Sequence, residues 1–314
     1  MNRKYHFIVA EHYFSLVLPE QVDLFQLIPS LAPFQLESDD PRLLENPAIF
    51  TLHVGAADGQ EGCLPADLKY QVEDVPKEAE SLITFDWDEA DAQIFRSPDF
   101  YYVKMQPKAS TYQYTLRLSS SYEVGVTALS GDAIMDGFAI NNFLMMIYTF
   151  STAHLKTLLM HSSVAMHDGY AYMFLGKSGT GKSTHSRLWL THIPDTDLLN
   201  DDNPIVRIID HEAWVYGSPW SGKTPCYRNL SLPLGAVVRL SQAPYNKITQ
   251  DDVVQSFASL MPSCSVLRQD KCMLNNLKAT LIELAQKQLT YSLECLPDEA
   301  AARLCYATVH HPTK

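Results

Sequence analysis

Hydrophobic and polar residues alternate along much of the first part of the chain, to about residue 130, and this alternation predicts β-strands. The clearest segments are residues 7–10, 13–18, 48–54 and 112–118. Prolines and acidic pairs such as Asp39 and Asp40 separate the segments, and these residue types favour turns. The pattern therefore predicts a smaller, β-rich N-terminal module over residues 1–135.

The pattern becomes helical over residues 136–160, where long apolar side chains recur at three- and four-residue spacings. Strand and helix segments alternate after that point. Strands are expected at residues 236–240 and 289–295, and helices at residues 251–261, at residues 274–288 and from residues 297–299 onward. Because alternating segments are typical of an α/β core, we predict a second domain of this class over residues 136–314.

A β-hairpin is predicted near the start of this second domain. Two apolar runs, residues 160–166 and 170–175, flank Asp168 and Gly169, and an Asp-Gly pair is a strong hairpin-turn signal. His161 lies at the start of the first run. A single histidine in such a run is more often a core residue than a catalytic one, so its position alone leaves both interpretations open.

The composition narrows the class of protein. With 46% hydrophobic and 19% charged residues, the 314-residue chain has the composition of a soluble globular protein. A net charge of −12 without a Lys/Arg cluster argues against nucleic acid as a partner. The most membrane-like stretch, residues 140–160, contains Asn141, Asn142, His154 and Lys156, so we expect a buried helix and no membrane partner. No long apolar run follows the basic start, so we expect no signal peptide and a cytoplasmic location.

The cysteines give no sign of a zinc-cysteine site or a disulfide framework. No two of them have C-x-x-C spacing, and we expect buried, reduced thiols. They are Cys63, Cys226, Cys264, Cys272, Cys295 and Cys305.

One segment has the full pattern of a phosphate-binding loop. It directly follows the apolar run 170–175, so a strand, a loop and a helix are expected in the order that this loop requires. Its glycines allow a tight turn that directs backbone N–H groups at phosphate oxygens, its lysine can reach the β- and γ-phosphates, and its serine can bind Mg²⁺. The candidate nucleotide-binding residues are Gly176, Lys177, Ser178, Gly179, Thr180, Gly181, Lys182, Ser183 and Thr184.

An acidic pair, Asp201 and Asp202, follows the apolar residues Leu198 and Leu199. At the end of a strand these carboxylates would lie at the sheet edge where ligands bind in α/β proteins. Adjacent residues of a strand point in different directions, so one acid could face Mg²⁺ and the other a nucleophile. The same composition, with Pro204, also suits a plain turn.

A loop at residues 217–224 contains Trp220 and Lys223. Lys223 or Arg228 could stabilise the charge of a transferring phosphoryl group. A plain surface loop is an equal alternative.

These residues resemble the C-terminal domain of HPr kinase/phosphorylase, which groups with the phosphoenolpyruvate carboxykinases in a distinct P-loop fold. The resemblance lies in residues 159–164, residues 176–183 and the acidic pair. It implies an α/β fold with a mixed sheet around the P-loop, Lys182 on the phosphates, and Ser183 on Mg²⁺. It also implies that one acid takes the hydroxyl proton, with His161 nearby. We assign Asp201 to the metal alongside Ser183.

The uncharacterised HPr-kinase-related proteins resemble the chain more extensively, over about residues 155–310. This resemblance includes residues 219–223, 232–238 and 296–300 and makes a homo-oligomer plausible. The Glu-x-Arg-Gly-x-Gly-Ile string of HPr kinase proper does not occur, and residues 214–220 stand near its place. HPr itself as the substrate, and phosphorolysis, are therefore not implied.

The sequence thus leads to two hypotheses. The first is an ATP- and Mg²⁺-dependent kinase acting on a hydroxyl of a peptide, protein or small metabolite, with Asp201, Asp202, His161, Lys182 and Lys223 as the catalytic set. The second is a nucleotide-binding sensor or scaffold without catalysis.

Overall fold

The computed structural model describes residues 2–56, 75–86, 89–222 and 224–310. The chain divides into two compact units, Met1–Ser151 and Thr152–Lys314. The sequence pattern predicts this boundary between residues 135 and 136. The helix that it assigns to the start of the second domain lies instead in the first unit, because its apolar side chains pack within that unit.

In its described residues, the first unit is a mixed sheet of nine strands with one long helix. Its strands are β1 (Asn2–Val9), β2 (His12–Pro19), β3 (Gln35–Leu36), β4 (Phe50–Gly55), β5 (Glu80–Asp86), β6 (Ala90–Arg96), β7 (Phe100–Pro107), β8 (Tyr114–Ser119) and β9 (Val124–Ala128). Its helices are α1 (Leu24–Leu27), α2 (Arg42–Glu45) and α3 (Ala133–Thr152). The strand order is β3-β1-β2-β4-β9-β8-β7-β6-β5, and β4 runs parallel to both β2 and β9.

Helix α3 is the core helix of this unit. Asp132 caps its first turn by accepting hydrogen bonds from the N–H groups of Ile134 and Met135. The helix packs so closely on β9 that a Cβ at Gly125 would come within 2.9 Å of Ile147 Cδ1. By length and mean hydropathy (1.2) α3 alone among the described residues could cross a membrane, yet 61% of that stretch is buried in the protein. The expectation of a buried helix agrees with this burial, although the helix ends at Thr152, before residue 160.

The second unit is also built on a mixed sheet of nine strands. Its strands are β10 (Thr157–Leu159), β11 (Ser162–His167), β12 (Tyr170–Leu175), β13 (Asp197–Asp202), β14 (Ile205–Ile209), β15 (Glu212–Tyr216), β16 (Ser231–Gln242), β17 (Lys247–Gln250) and β18 (Thr290–Cys295). Its helices are α4 (Lys182–His192), α5 (Val253–Leu260), α6 (Lys271–Ala285) and α7 (Glu299–Val309). The strand path is β10-β14-β15-β16-β12-β11-β13, with β18 paired to β16 and to β17.

Successive side chains of the central strands point to opposite faces of the sheet, so a hydrophobic core forms on each face. Met173 and Leu175 of β12 pack with Leu277 and Leu281 of α6. On the other face, Tyr172 and Phe174 pack with Trp189 of α4 and with Cys305 of α7. The second unit is therefore a three-layer α/β structure, and the α/β class predicted from sequence is confirmed at this level.

The local predictions for this unit also agree with the structure. The hairpin of β11 and β12 turns at Asp168 and Gly169, both of which have positive φ angles (46° and 77°) as a hairpin turn requires. The expected helices and the strand at residues 289–295 correspond to α5, α6, α7 and β18. The five cysteines among the described residues are free. Cys226, Cys264 and Cys305 are buried as expected, whereas Cys272 is exposed and Cys295 is half-buried; Cys63 lies outside that part of the chain.

Candidate functional site

Four strands of the second unit end at one edge of its sheet, called here the carboxyl edge. β12, β16 and β18 run parallel, and β13 has the same direction because both it and β12 are antiparallel to β11. Leu175, Asp202, Gln242 and Cys295 are the last residues of these strands. Ligands of open α/β sheets bind at this kind of edge, so the predicted site residues lie where the fold favours a site.

Residues 176–181, called here the glycine loop, join β12 to α4. Gly181 caps the helix with φ +108°, a conformation that L side chains rarely adopt. The first turn of α4 therefore opens toward the loop with its N–H groups free of helical partners, and the positive end of the helix dipole lies there. Lys182 begins the helix, and its Nζ atom donates a hydrogen bond back to the carbonyl oxygen of Gly176 at 3.0 Å.

The two acids at the end of β13 bind different partners. Asp201 is buried, and its Oδ1 atom accepts a hydrogen bond from Ser183 Oγ at 2.9 Å. Asp202 is half-buried, and its Oδ1 atom lies 2.9 Å from His161 Nδ1. The expectation that adjacent carboxylates would point in different directions therefore describes the geometry correctly.

His161 links the glycine loop to the acidic pair. Its Nε2 atom lies 2.9 Å from Lys182 Nζ, while Nδ1 faces Asp202. Because an ammonium group can only donate, Nε2 must accept from Lys182, and the ring proton is then on Nδ1 and donated to Asp202. The backbone fixes the ring's position, since His161 N donates to the Ser263 carbonyl at 2.6 Å.

Burial lowers the pKa of Lys182 below its usual value, and the charges of Asp202 and Asp201 partly oppose this effect. A depressed pKa shows that the ammonium group is poorly solvated where it lies. An anionic ligand in the cleft would compensate for the lost solvation, and Lys182 is therefore electrostatically suited to bind one.

The loop after β15 supports the acidic pair from behind. Gly222 N and Ser221 Oγ both donate to the Asp201 carbonyl, at 2.6 Å and 3.1 Å. A Cβ at position 222 would come within 3.1 Å of Asp202 Cβ, so a glycine permits this close approach. Asp202 itself has φ +146°, which is strained for a residue with a side chain.

A buried amide anchors the same loop. Asn200 Oδ1 accepts from Asn203 N at 3.0 Å, and Ser218 Oγ donates to the Asn203 carbonyl at 2.6 Å. These bonds hold the turn after β13 in place. The Asp-Asn-Pro turn of the alternative interpretation therefore exists, and it is part of the same structure as the acidic pair.

Two clefts meet at the glycine loop. The first, of about 410 Å³, is lined by polar and charged residues and glycines, namely His161, Ser178, Gly179, Gly181, Lys182, Ser183, Thr184, Asp201, Asp202 and Gly222. The second, of about 570 Å³, is largely apolar and shares the residues Gly179, Gly181 and Thr184 with the first. Its walls include Leu188, Leu240, Pro244, Leu296 and Pro297.

Most residues of the predicted site come together in or beside the first cleft. Gly176 contributes its carbonyl, Thr180 lines the second cleft, and Lys177 is exposed. Lys223 lies outside the described residues. Arg228 does not join the acidic pair, because its guanidinium pairs with Asp197 at the beginning of β13, 2.8 Å away.

Sequence patterns did not indicate the second cleft or the contact between His161 and Lys182. The cleft is assembled from the ends of β16 and β18 and from α4, which are far apart in the chain. Only the rule that parallel strands end at a common edge could have pointed to Gln242 and Cys295.

Comparison with known proteins adds no identification. No protein-family model matches the chain, and no curated protein is significantly similar to it. The function must therefore be inferred from the residues of the two clefts and their geometry.

Proposed function

We propose that the second unit binds Mg-ATP at the glycine loop and transfers the γ-phosphoryl group to a hydroxyl. The observation that carries this proposal is the set of three contacts in the first cleft: Ser183 with Asp201, Lys182 with His161, and His161 with Asp202. The proposal includes a P-loop core of the HPr kinase/phosphorylase type, as the resemblance in sequence suggests.

The triphosphate would lie against the free N–H groups at the beginning of α4, where the helix dipole favours an anion. Lys182 is close enough to exchange its bonds with His161 and Gly176 for bonds to phosphate oxygens. Because burial has removed part of the water around its ammonium group, bonds to phosphate oxygens would compensate for the lost solvation.

Mg²⁺ suits the contact between Ser183 and Asp201. A hydroxyl and a carboxylate oxygen 2.9 Å apart at the cleft wall are hard oxygen donors of the kind that Mg²⁺ prefers. When bound, the ion would neutralise charge on the phosphate oxygens. These two residues are therefore the proposed metal ligands.

The pair of Asp202 and His161 suits proton transfer. In the reaction, the acceptor oxygen forms a bond to the γ-phosphorus, the bond from that phosphorus to the β,γ-bridging oxygen breaks, and the hydroxyl proton must leave. Once Lys182 turns to the phosphates, His161 Nε2 has a free lone pair, and Asp202 holds the ring through Nδ1. We therefore assign the hydroxyl proton to His161 Nε2, and the carboxylate of Asp202 is the anionic partner of the ring.

The second cleft suits the base and ribose. It joins the first cleft at Gly179, Gly181 and Thr184, and leucine and proline side chains form much of its wall. An aromatic base would be held there mainly by burial of apolar surface.

Calorimetric titration of ATP with Mg²⁺ tests the binding step. The full chain should bind, Lys182→Ala should bind at least about 100-fold more weakly because charge-assisted hydrogen bonds are lost, and Lys278→Ala should bind normally. Lys278 is a suitable control because it is exposed on α6. Absence of binding by the unmodified chain would contradict the proposal.

A non-catalytic nucleotide sensor is the second candidate, since the chain lacks the Glu-x-Arg-Gly-x-Gly-Ile string. Incubation with γ-labelled ATP and a cell extract separates the two. Transfer of label to a hydroxyl-bearing acceptor supports the kinase, whereas nucleotide-dependent association without turnover supports the sensor.

A further inference from the structure

The opposite edge of the second unit's sheet, called here the amino edge, carries a separate group of potential metal ligands. His167 ends β11, Asp168 follows it in the hairpin turn, and His310 directly follows α7. One ligand atom from each of these three side chains lies within 4.8 Å of the others. They belong neither to the glycine loop nor to either cleft described above.

The distances suit a small cation with nitrogen and oxygen ligands. His167 Nε2 is 3.3 Å from Asp168 Oδ2, and His310 Nε2 is 3.9 Å from the same oxygen. Ligands at about 2.0–2.1 Å from a tetrahedral Zn²⁺ are about 3.4 Å apart. The pair of His167 and Asp168 therefore has this spacing, and the pair of His310 and Asp168 needs a shift of His310 by about half an ångström. The third pair, the two imidazoles, lies within the 4.8 Å that encloses all three ligand atoms.

Neighbouring side chains orient the first imidazole. His167 is 7% exposed, and its Nδ1 atom is 3.3 Å from Thr196 Oγ1. If Nδ1 carries the proton and donates to that hydroxyl, the lone pair of Nε2 faces Asp168 and accepts from the Tyr306 hydroxyl at 3.2 Å, a bond that a bound ion would replace. A hydrogen bond on the far nitrogen is the usual support of a metal-binding histidine.

The second imidazole is held by stacking. The ring of His310 lies on that of Tyr306, with centroids 4.6 Å apart. Its Nδ1 atom is buried and has no hydrogen-bond partner among the described residues. Nε2 of the same ring lies 3.9 Å from Asp168 Oδ2 and is the nitrogen that faces the carboxylate.

We infer that His167, Asp168 and His310 form a site for a divalent transition-metal ion, with Zn²⁺ as the best match. Two imidazoles and one carboxylate are typical of Zn²⁺, whereas Mg²⁺ prefers oxygen ligands alone. The protein supplies three ligands, and water completes the coordination. The ion joins the end of α7 to the β11–β12 turn and is structural in character.

Titration of the full, metal-free chain with ZnCl₂, followed by calorimetry, tests this site. We expect one tight equivalent, and a loss of affinity of about 100-fold in both Asp168→Asn and His310→Asn. Asparagine tolerates the left-handed conformation of position 168, and His310 follows the last helix, so at least one variant should fold. Titration with Co²⁺ should give visible absorption bands that both variants lack.

His211→Asn is the matched control, because His211 also lies 3.2 Å from a carboxylate, that of Glu283, and no second imidazole among the described residues belongs to that pair. Its Zn²⁺ affinity should equal that of the unmodified chain. Unchanged affinity in Asp168→Asn and His310→Asn would overturn the inference. Loss of Zn²⁺ binding in His161→Asn alone would likewise place the ion at the carboxyl edge.

Discussion

The two edges of the second unit's sheet present opposite chemistry to a ligand. At the carboxyl edge, the N-terminus of α4 and Lys182 offer positive charge, with carboxylates behind them. At the amino edge, α7 ends beside His167 and Asp168, and two imidazoles and one carboxylate lie close together. Because helices run back from the carboxyl edge, their dipoles favour anions at one edge and cations at the other.

The same hairpin contributes to both edges. His161 precedes β11 and contacts Lys182, whereas His167 ends β11 and contacts Asp168. The two histidines have different roles because they lie at opposite ends of β11 and therefore meet different partners. If this comparison is right, changes at one edge should leave the other edge unaffected.

The largest expected effect comes from the acidic pair. Asp202→Asn should lower the rate of phosphoryl transfer by about 10²–10⁴-fold, because the anionic partner of His161 is lost. Asp201→Asn should lower it in the same range and also raise the Mg²⁺ concentration needed. ATP binding should persist in both variants, and Zn²⁺ affinity should not change.

Steady-state rates and calorimetry check these outcomes. Normal turnover in Asp202→Asn would exclude the proposed proton acceptor, and normal turnover in Asp201→Asn would exclude the proposed metal ligand. Loss of Zn²⁺ affinity in either variant would show that the two edges are not independent.

A smaller effect concerns stability on the α4 face of the sheet. His185 is 3% exposed, and burial lowers its pKa from the usual 6.5 to about 4. Between these values the unfolded chain binds more protons than the folded chain, so the free energy of unfolding decreases as the pH falls from 6.5 to 4. Above pH 6.5 this contribution is fully present.

His185→Gln should remove that contribution while keeping an acceptor for Trp189 Nε1, which donates to His185 Nε2 at 3.2 Å. The difference in unfolding free energy between the two proteins should change by on the order of 3 kcal/mol across this interval. Denaturant titrations at several pH values measure it. Parallel curves for the two proteins would contradict the assignment to His185.

The smallest effect tests the second cleft. Leu296→Ala should weaken ATP binding about fivefold, because part of the apolar wall against the base is lost. Binding of inorganic triphosphate should not change. Leu190→Ala is the control, since Leu190 has nearly the same exposure as Leu296 (37% and 38%) and does not line the cleft. Equal effects on ATP and triphosphate would argue against a base in this cleft.

Local patterns predicted more than long-range contacts did. The Asp168-Gly169 pair indicated the β11–β12 hairpin, and the strand pattern before Asp201 and Asp202 indicated acids at the end of β13. Nothing in the sequence shows that β13 pairs with β11, which brings Asp202 to His161. Contacts of this kind depend on which strands become neighbours, and periodicity carries no information about that.

The structure divides the chain after Ser151 and not after residue 135, and it pairs Arg228 with Asp197. Helix α3 follows the β-rich module and precedes the α/β segments, so its pattern fits either side of a boundary. Its packing on Gly125 assigns it to the first unit. Arg228 lies close in sequence to Ser221 and Gly222, which contact Asp201. Its guanidinium nevertheless pairs with Asp197, at the end of β13 away from the acidic pair.

The backbone at Asp202 has a consequence for how the protein tolerates change. A φ of +146° would suit glycine, and an aspartate there costs about 1–3 kcal/mol of conformational energy. The fold accepts that cost where a carboxylate is aimed at His161. A screen that rewards thermal resistance would therefore favour glycine at this position, and selection for activity would restore the acid.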